Sequence, residues 1–211
     1  MSEHVVLLGD STFDNAAYTN GQPDVATHLR KILPPGAAAT LLAVDGSTTA
    51  DLEDQLQHLP GNATRAVVSI GGNDALLNAD ILNLPASSTL EVLHLLGARA
   101  SRFEKDYRAA ILGVVRRIPN VTVSTVYNGN LPDDQAPSAR VALMVFNDAI
   151  LRVAFALRLG VIDLRLVCAD PSDYANPIEP SGSGGAKIAR AIGQALGLLG
   201  EQGPASRVFA G

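Results

Sequence analysis

Tryptophan is absent from the 211 residues, and aromatic side chains make up only 4% of them. A core must therefore be filled by Val, Leu, Ile and Ala, as in layered α/β proteins. The only cysteine, Cys168, excludes an internal disulfide; it follows an apolar run, has no His near it in sequence, and reads as a buried small hydrophobe. No apolar run approaches the roughly 18 residues needed to cross a bilayer. The chain passes from "MSEH" straight into "VVLLG" without a basic segment, a long apolar stretch or a cleavage site. The expectation is a cytoplasmic protein without membrane insertion, and no stretch announces an exposed apolar patch for lipid. Basic residues are also in short supply. Sixteen Lys and Arg against twenty-one Asp and Glu give a net charge of −5, which argues against nucleic acid as a partner. With 47% hydrophobic residues the chain suits one core, so a single domain is expected over 1–200 with a loosely packed tail over 201–211.

What is present is a regular alternation. Short apolar runs at Val5 to Leu8, Thr40 to Val44, Ala66 to Ile70, Val121 to Val126 and Gly160 to Leu166 are separated by helical patterns near 23–33, 49–58, 99–118, 138–158 and 184–199. The runs barely alternate in polarity, as expected of parallel strands buried on both faces. Alternating strands and helices predict a doubly wound sheet with right-handed crossovers. Residues 75–98, with Pro85 and a Ser-Ser-Thr turn signal, exceed what a connection needs and are expected to form a cover beside the cleft.

In such a sheet the ligand site lies at the carboxyl ends of the strands. There the sequence places "GDSTFDN" (Gly9 to Asn15), "DGSTTADL" (Asp45 to Leu52) and "GGNDAL" (Gly71 to Leu76). A Ser on a tight strand-to-helix turn can expose its hydroxyl and its backbone N–H to the cleft. Gly46 can offer a second N–H and Asn73 a side-chain amide, and three convergent donors make an oxyanion hole. Each motif alone also fits a helix cap. Their conjunction at three successive strand ends, with a fourth motif before the last helix, is what a shared cleft requires.

At these residues the chain resembles the SGNH, or GDSL, hydrolases, which remove ester groups from lipids, sugars and small molecules. Gly9-Asp10-Ser11-Thr12 matches the block with the nucleophilic Ser, Gly46 the second-block glycine, and Gly71, Asn73 and Asp74 the third block. The family's last block reads Asp-x-x-His-Pro-Ser-x-x-Gly, where this chain has Asn176-Pro177-Ile178-Glu179-Pro180-Ser181-Gly182-Ser183-Gly184. The resemblance implies a three-layer α/β/α, flavodoxin-like fold with five parallel strands ordered 2-1-3-4-5. It implies an acyl-Ser11 intermediate, with Ser11, Gly46 and Asn73 forming the oxyanion hole, and it puts Glu179 at the His position and Asn176 at the Asp position. A small-molecule ester is the implied substrate, and no cofactor is implied.

The two departures fit each other. An Asp in that block accepts the second N–H of an imidazole, and a carboxylate has no such proton; Asn176 could instead donate an amide hydrogen to Glu179 and hold it. Other bases are less well placed. His4 begins the first strand, at the wrong end of the sheet; His28 and His58 lie in surface-type helical patterns; His94 sits among leucines as a core or boundary residue. Asp10, Asp14, Asp45 and Asp74 match no hard-cation loop, so no metal is expected, and "SGSGG" reads as a helix cap. Esterase activity is the leading expectation, with a non-catalytic binding protein and an acyltransferase as alternatives. The segments 75–98 and "YNGNLPDD" (Tyr127 to Asp134) are expected to set specificity.

Overall fold

The first apolar run forms β1 (His4–Gly9), which is buried at every position. Its side chains nonetheless divide between two cores. Val6 and Leu8 pack with Leu52, Tyr107, Ile111 and Ile150 on one face of the sheet, while Val5 and Leu7 pack with Leu29, Ile188 and Ile192 on the other. Alternation is thus present in space but invisible in polarity, because helices cover both faces.

The computed structural model describes residues 3–199 and Val208. After β1 come α1 (Val25–Ile32), β2 (Ala38–Leu41), α2 (Leu52–Leu56), β3 (Arg65–Ser69), α3 (Gly72–Leu76) and α4 (Thr89–Arg117). They are followed by β4 (Val121–Ser124), α5 (Ala136–Ala156), β5 (Gly160–Ile162), α6 (Leu164–Val167) and α7 (Gly182–Ala195). All five strands are parallel in the order β2-β1-β3-β4-β5, as expected. The expected tail, 201–211, lies outside the described residues except for Val208. No described helix is long and apolar enough to cross a membrane.

Three elements differ from expectation. The second run pairs only over Ala38–Leu41, because its later residues bend over the end of β1, with the N–H groups of Leu42 and Ala43 both donating to the Leu7 carbonyl. The fifth run stops at Ile162, where Asp163 accepts from the Arg165 N–H and turns the chain into α6. The largest difference is the cover. Residues 75–98 contain the end of α3, a 3-10 stretch at Ala79–Asn83 and the first turns of α4, which starts at Thr89 rather than near 99. Ser88 caps that helix by accepting from the Glu91 N–H, and Glu91 returns to the hydroxyl and N–H of Ser87. The Ser-Ser-Thr signal is a helix start.

The register of β1 and β3 places Gly9 beside Ser69, so the two strands release their turns at the same level. Gly9 has φ +132, and a Cβ there would lie 1.8 Å from the Ser69 carbonyl oxygen. Only glycine permits this approach.

Candidate active site

The Asp10 N–H donates to the Ser69 carbonyl, and the Asp10 carbonyl accepts from the N–H groups of Phe13 and Asp14. This turn, anchored by buried Phe13, carries Ser11. Among the described residues the backbone N–H groups of Ser11 and Gly46 have no protein acceptor, so both are free to serve a ligand. Gly46 stands in the turn after β2 with φ +80, exposed at the side of the cleft rather than in its lining. Asn73, in the first turn of α3, donates through Nδ2 to the Ser47 carbonyl at 2.9 Å. A carboxamide has two N–H donors, and the other remains for a ligand. The structure thus brings the three expected oxyanion donors to neighbouring turns.

Ser11 Oγ donates to Glu179 Oε1 at 3.1 Å, and both residues are buried. Burial pushes the Glu179 carboxyl above its ordinary range, Ser11 pulls it down, and the nearby Asp45 charge adds to the rise. Asn176 holds this residue differently from the expectation. Its Oδ1 accepts the backbone N–H groups of Ile178 and Glu179, each at 2.9 Å, so it shapes the turn and not the carboxylate. The reason is placement: Asn176 is exposed at the start of the turn while the Glu179 side chain points inward. Glu179 Oε2 is consequently buried without a partner among the described residues.

Further contacts position the site, and those of Asn15, Tyr127 and Gln55 were not singled out by sequence reasoning. Asn15, fully buried, donates to the Pro180 carbonyl and accepts from the Val25 N–H, tying the Ser11 segment to the Glu179 loop. Tyr127 donates its hydroxyl to the Ile178 carbonyl at 2.7 Å. Gln55 clasps the end of β1, accepting from the Gly9 N–H and donating to the Gly9 carbonyl and Ser47 Oγ. Asp74 accepts from both the hydroxyl and the N–H of Thr49. Asp10, beside Ser11, is buried, and desolvation pushes its carboxyl up to about 7. Asn15 falls inside the "GDSTFDN" block, but nothing in a sequence tells an inward Asn from a solvated one.

A cavity of about 150 Å³ adjoins these groups. Asp10, Ser11, Asn73 and Glu179 form its polar end; Leu76, Ile81, Leu96, Leu131, Leu143 and Phe146 supply much of the rest. A Ser and a carboxylate in hydrogen-bond contact, beside unclaimed donors, suit attack on a carbonyl carbon. The model of the GDSL-like lipase/acylhydrolase family matches residues 7–185.

The chain belongs to the GDSL-like lipase/acylhydrolase family.

Solved structures agree on the fold of this GDSL-like protein. An extracellular lipase from Streptomyces rimosus is 14% identical, with a TM-score of 0.68 over 92% of this chain and 100% of that one. LAE5, an alpha/beta hydrolase from the metagenome of Lake Arreo, is 18% identical, with a TM-score of 0.67 over 95% and 99%. Axe2, an acetylxylan esterase from Geobacillus stearothermophilus, is 17% identical, with a TM-score of 0.64 over 92% and 94%. No curated protein sequence matches. None of the four histidines lines the cavity. His4 is buried at the amino end of β1 between Asn62 and Thr40, and His58 is exposed. His94 is exposed too, not a core or boundary residue, because it falls in the first turns of α4, whose buried residues begin only at Ala100. Cys168 is buried, and desolvation pushes its thiol up to about 12. Ser181 caps α7 by accepting from the Gly184 N–H, as "SGSGG" suggested.

Several large apolar side chains are exposed. Leu76 and Leu82 line the cavity and are half exposed, Leu77, Leu90 and Leu93 are more so, and Val141 and Met144 are exposed on α5. Helical winding brings these scattered residues outward on the elements around the cavity, which no linear run could reveal.

Proposed function

We propose that the protein hydrolyses carboxylic esters through an acyl-Ser11 intermediate, with Glu179 as the base. The observation that carries this reading is the 3.1 Å hydrogen bond from Ser11 Oγ to Glu179 Oε1 in a buried cleft. Glu179 takes the hydroxyl proton as Ser11 Oγ bonds to the ester carbon. The oxyanion receives the N–H groups of Ser11 and Gly46 and the free amide hydrogen of Asn73. Collapse breaks the bond to the alcohol oxygen, which leaves with the proton from Glu179. Water then gives a proton to Glu179 and attacks the acyl carbon, and Ser11 Oγ departs and recovers the proton.

A glutamate is a weaker base than imidazole. The reference pKa values of about 4.3 and 6.5 differ by roughly 3 kcal/mol of proton-transfer driving force. Burial of Glu179 recovers part of it, since the shift is upward. A protonated Glu is also neutral, so it forms no ion pair with the oxyanion, but it is a better donor to the leaving alkoxide than imidazolium. Slow turnover, best with good leaving groups, follows.

One observation favours a second reading, a cleft that binds without turnover: among the described residues Glu179 Oε2 has no partner to orient the carboxylate. A fluorophosphonate separates the two. Rapid addition of its mass to Ser11, absent in Ser11→Ala, together with hydrolysis of nitrophenyl acetate, supports the enzyme. An unmodified Ser11 with no hydrolysis supports the binding protein. An acyltransferase would share the labelling and release acyl groups to an alcohol faster than to water.

A further inference from the structure

The two sides of Ser11 differ in chemistry. The strand order puts the turn after β2 on one side of β1 and the segments after β3 and β4 on the other. On the β2 side stand Asp14, Asp45 and Tyr18: Asp14 accepts from the Asp45 N–H, and Asp45 accepts from the Tyr18 hydroxyl at 2.6 Å. The other side holds the cavity, whose walls beyond Asn73 are mostly aliphatic, with Asn78, Tyr127, Asn128 and Phe146 as the exceptions, and whose lining includes the half-exposed Leu76 and Leu82. An acetyl group would leave most of those walls without a partner.

We infer that the cavity takes the acyl chain of a fatty-acyl ester while the alcohol lies on the β2 side, an inference that rests on the acyl-Ser11 reading. The order of events chooses between the two orientations. Water attacks the acyl-enzyme from the position the alcohol has vacated, so the alcohol must have occupied a place water can reach. The acidic β2 side is wet, and the aliphatic cavity favours a group that stays bound while water enters. The leucines at the rim extend the apolar path for chains longer than the cavity. Ala139 and Ala142 of α5 also line it, and their small side chains leave the space that a longer chain fills.

The full-length protein tests this in two ways. Calorimetry with straight-chain amides from acetamide to decanamide, which resemble the acyl half of an ester, should show affinity rising roughly threefold to fourfold per methylene until the cavity is full. Nitrophenyl esters from acetate to decanoate should show the same climb in kcat/KM, while alkyl acetates of lengthening alcohol should stay flat. Ala142→Trp, folded by its melting curve, should lower the decanoate-to-acetate ratio roughly tenfold, the burial of about two methylenes; the wild-type series decides the question if that variant does not fold. Flat amide binding overturns the inference, and so does a climb confined to the alkyl acetates. Ester turnover with no chain dependence retires the acyl-chain assignment alone. Chain-dependent amide binding with no ester turnover and no labelling of Ser11 retires the hydrolase reading and the acyl assignment together.

Discussion

The three strand-end turns and the loop before α7 meet at Ser11, but they are held by different means. Ser11, Gly46 and Asn73 sit on turns released by paired strands and cross-tied by Gln55, by Asp74 with Thr49, and by Asn73 with Ser47. Their geometry belongs to the sheet. The Glu179 loop is held by its backbone: the N–H groups of Ile178 and Glu179 on Asn176, the Ile178 carbonyl on Tyr127, the Pro180 carbonyl on Asn15, and a bridge between Tyr174 and Pro180. Among the described residues its carboxylate accepts a hydrogen bond only from Ser11. The proposed oxyanion donors are thus held by the sheet, whereas the proposed base is held by its loop and by the hydrogen bond from Ser11.

Ser11→Ala breaks the comparison most completely. Hydrolysis of nitrophenyl acetate should fall to the uncatalysed rate, with stability in urea unfolding within about 1 kcal/mol, because a cleft Ser contributes little packing. Glu179→Gln should nearly silence the enzyme as well, since Gln keeps the shape and cannot take a proton. The wild-type rate should rise with pH as Glu179 ionises, and this rising limb should lie above the ordinary carboxylate range because burial raises the pKa. Asn176→Asp with Glu179→His sharpens the test. Asp can still accept the two backbone N–H groups, and the pair should hydrolyse nitrophenyl acetate at neutral pH faster than wild type, with the rising limb moved toward imidazole. Equal rates for Glu179→Gln and wild type, with no gain in the double variant, would remove Glu179 from the reaction path.

On the side of the preorganised turns, Asn73→Ala should raise the barrier by roughly 2.7–4 kcal/mol, read as a loss of kcat. Asp10→Asn should act on stability. The Asp10 pKa is raised from 3.8 to about 7 in the folded protein, so between those values the folded state keeps a proton that the unfolded state has released. Its contribution therefore becomes less favourable as pH rises through that window, by up to about 1.4 kcal/mol per pH unit. The variant should lose that slope in urea titrations at pH 5 and pH 8. Asn176→Ala should have the smallest effect, about 1 kcal/mol of stability for the lost turn contacts, with KM changed more than kcat if the loop alone shifts.

Most of the fold was legible because its signals are local. Each strand is a short β-branched run, and each long helix a repeating apolar face. The beginning of α4 was legible in principle as well, since Ser88-Thr89-Leu90-Glu91 carries the spacing of a capping box, but Pro85 and the serines drew the reading toward a turn. Ser11, Gly46 and Asn73 stood out as candidates because their turns follow strand ends in order, and Glu179 because its block resembles the family's last one. Asn15, Gln55 and Tyr127 were not, since buried hydrogen bonds between residues far apart in sequence leave no periodic trace.

The order of strands and helices, the small-polar turns at their ends and the Asn-x-x-Glu of the last block are properties of the sequence, because each depends on neighbours within a few residues. Tertiary structure alone decided three things. Asn176 binds the Glu179 backbone rather than its side chain, because the turn exposes one residue and buries the other. The cavity is mostly aliphatic, because α3, α4 and α5 converge on one side of Ser11. Leu76 and Leu82 stand half exposed at the cavity, because they lie on short helical stretches that no further layer among the described residues covers.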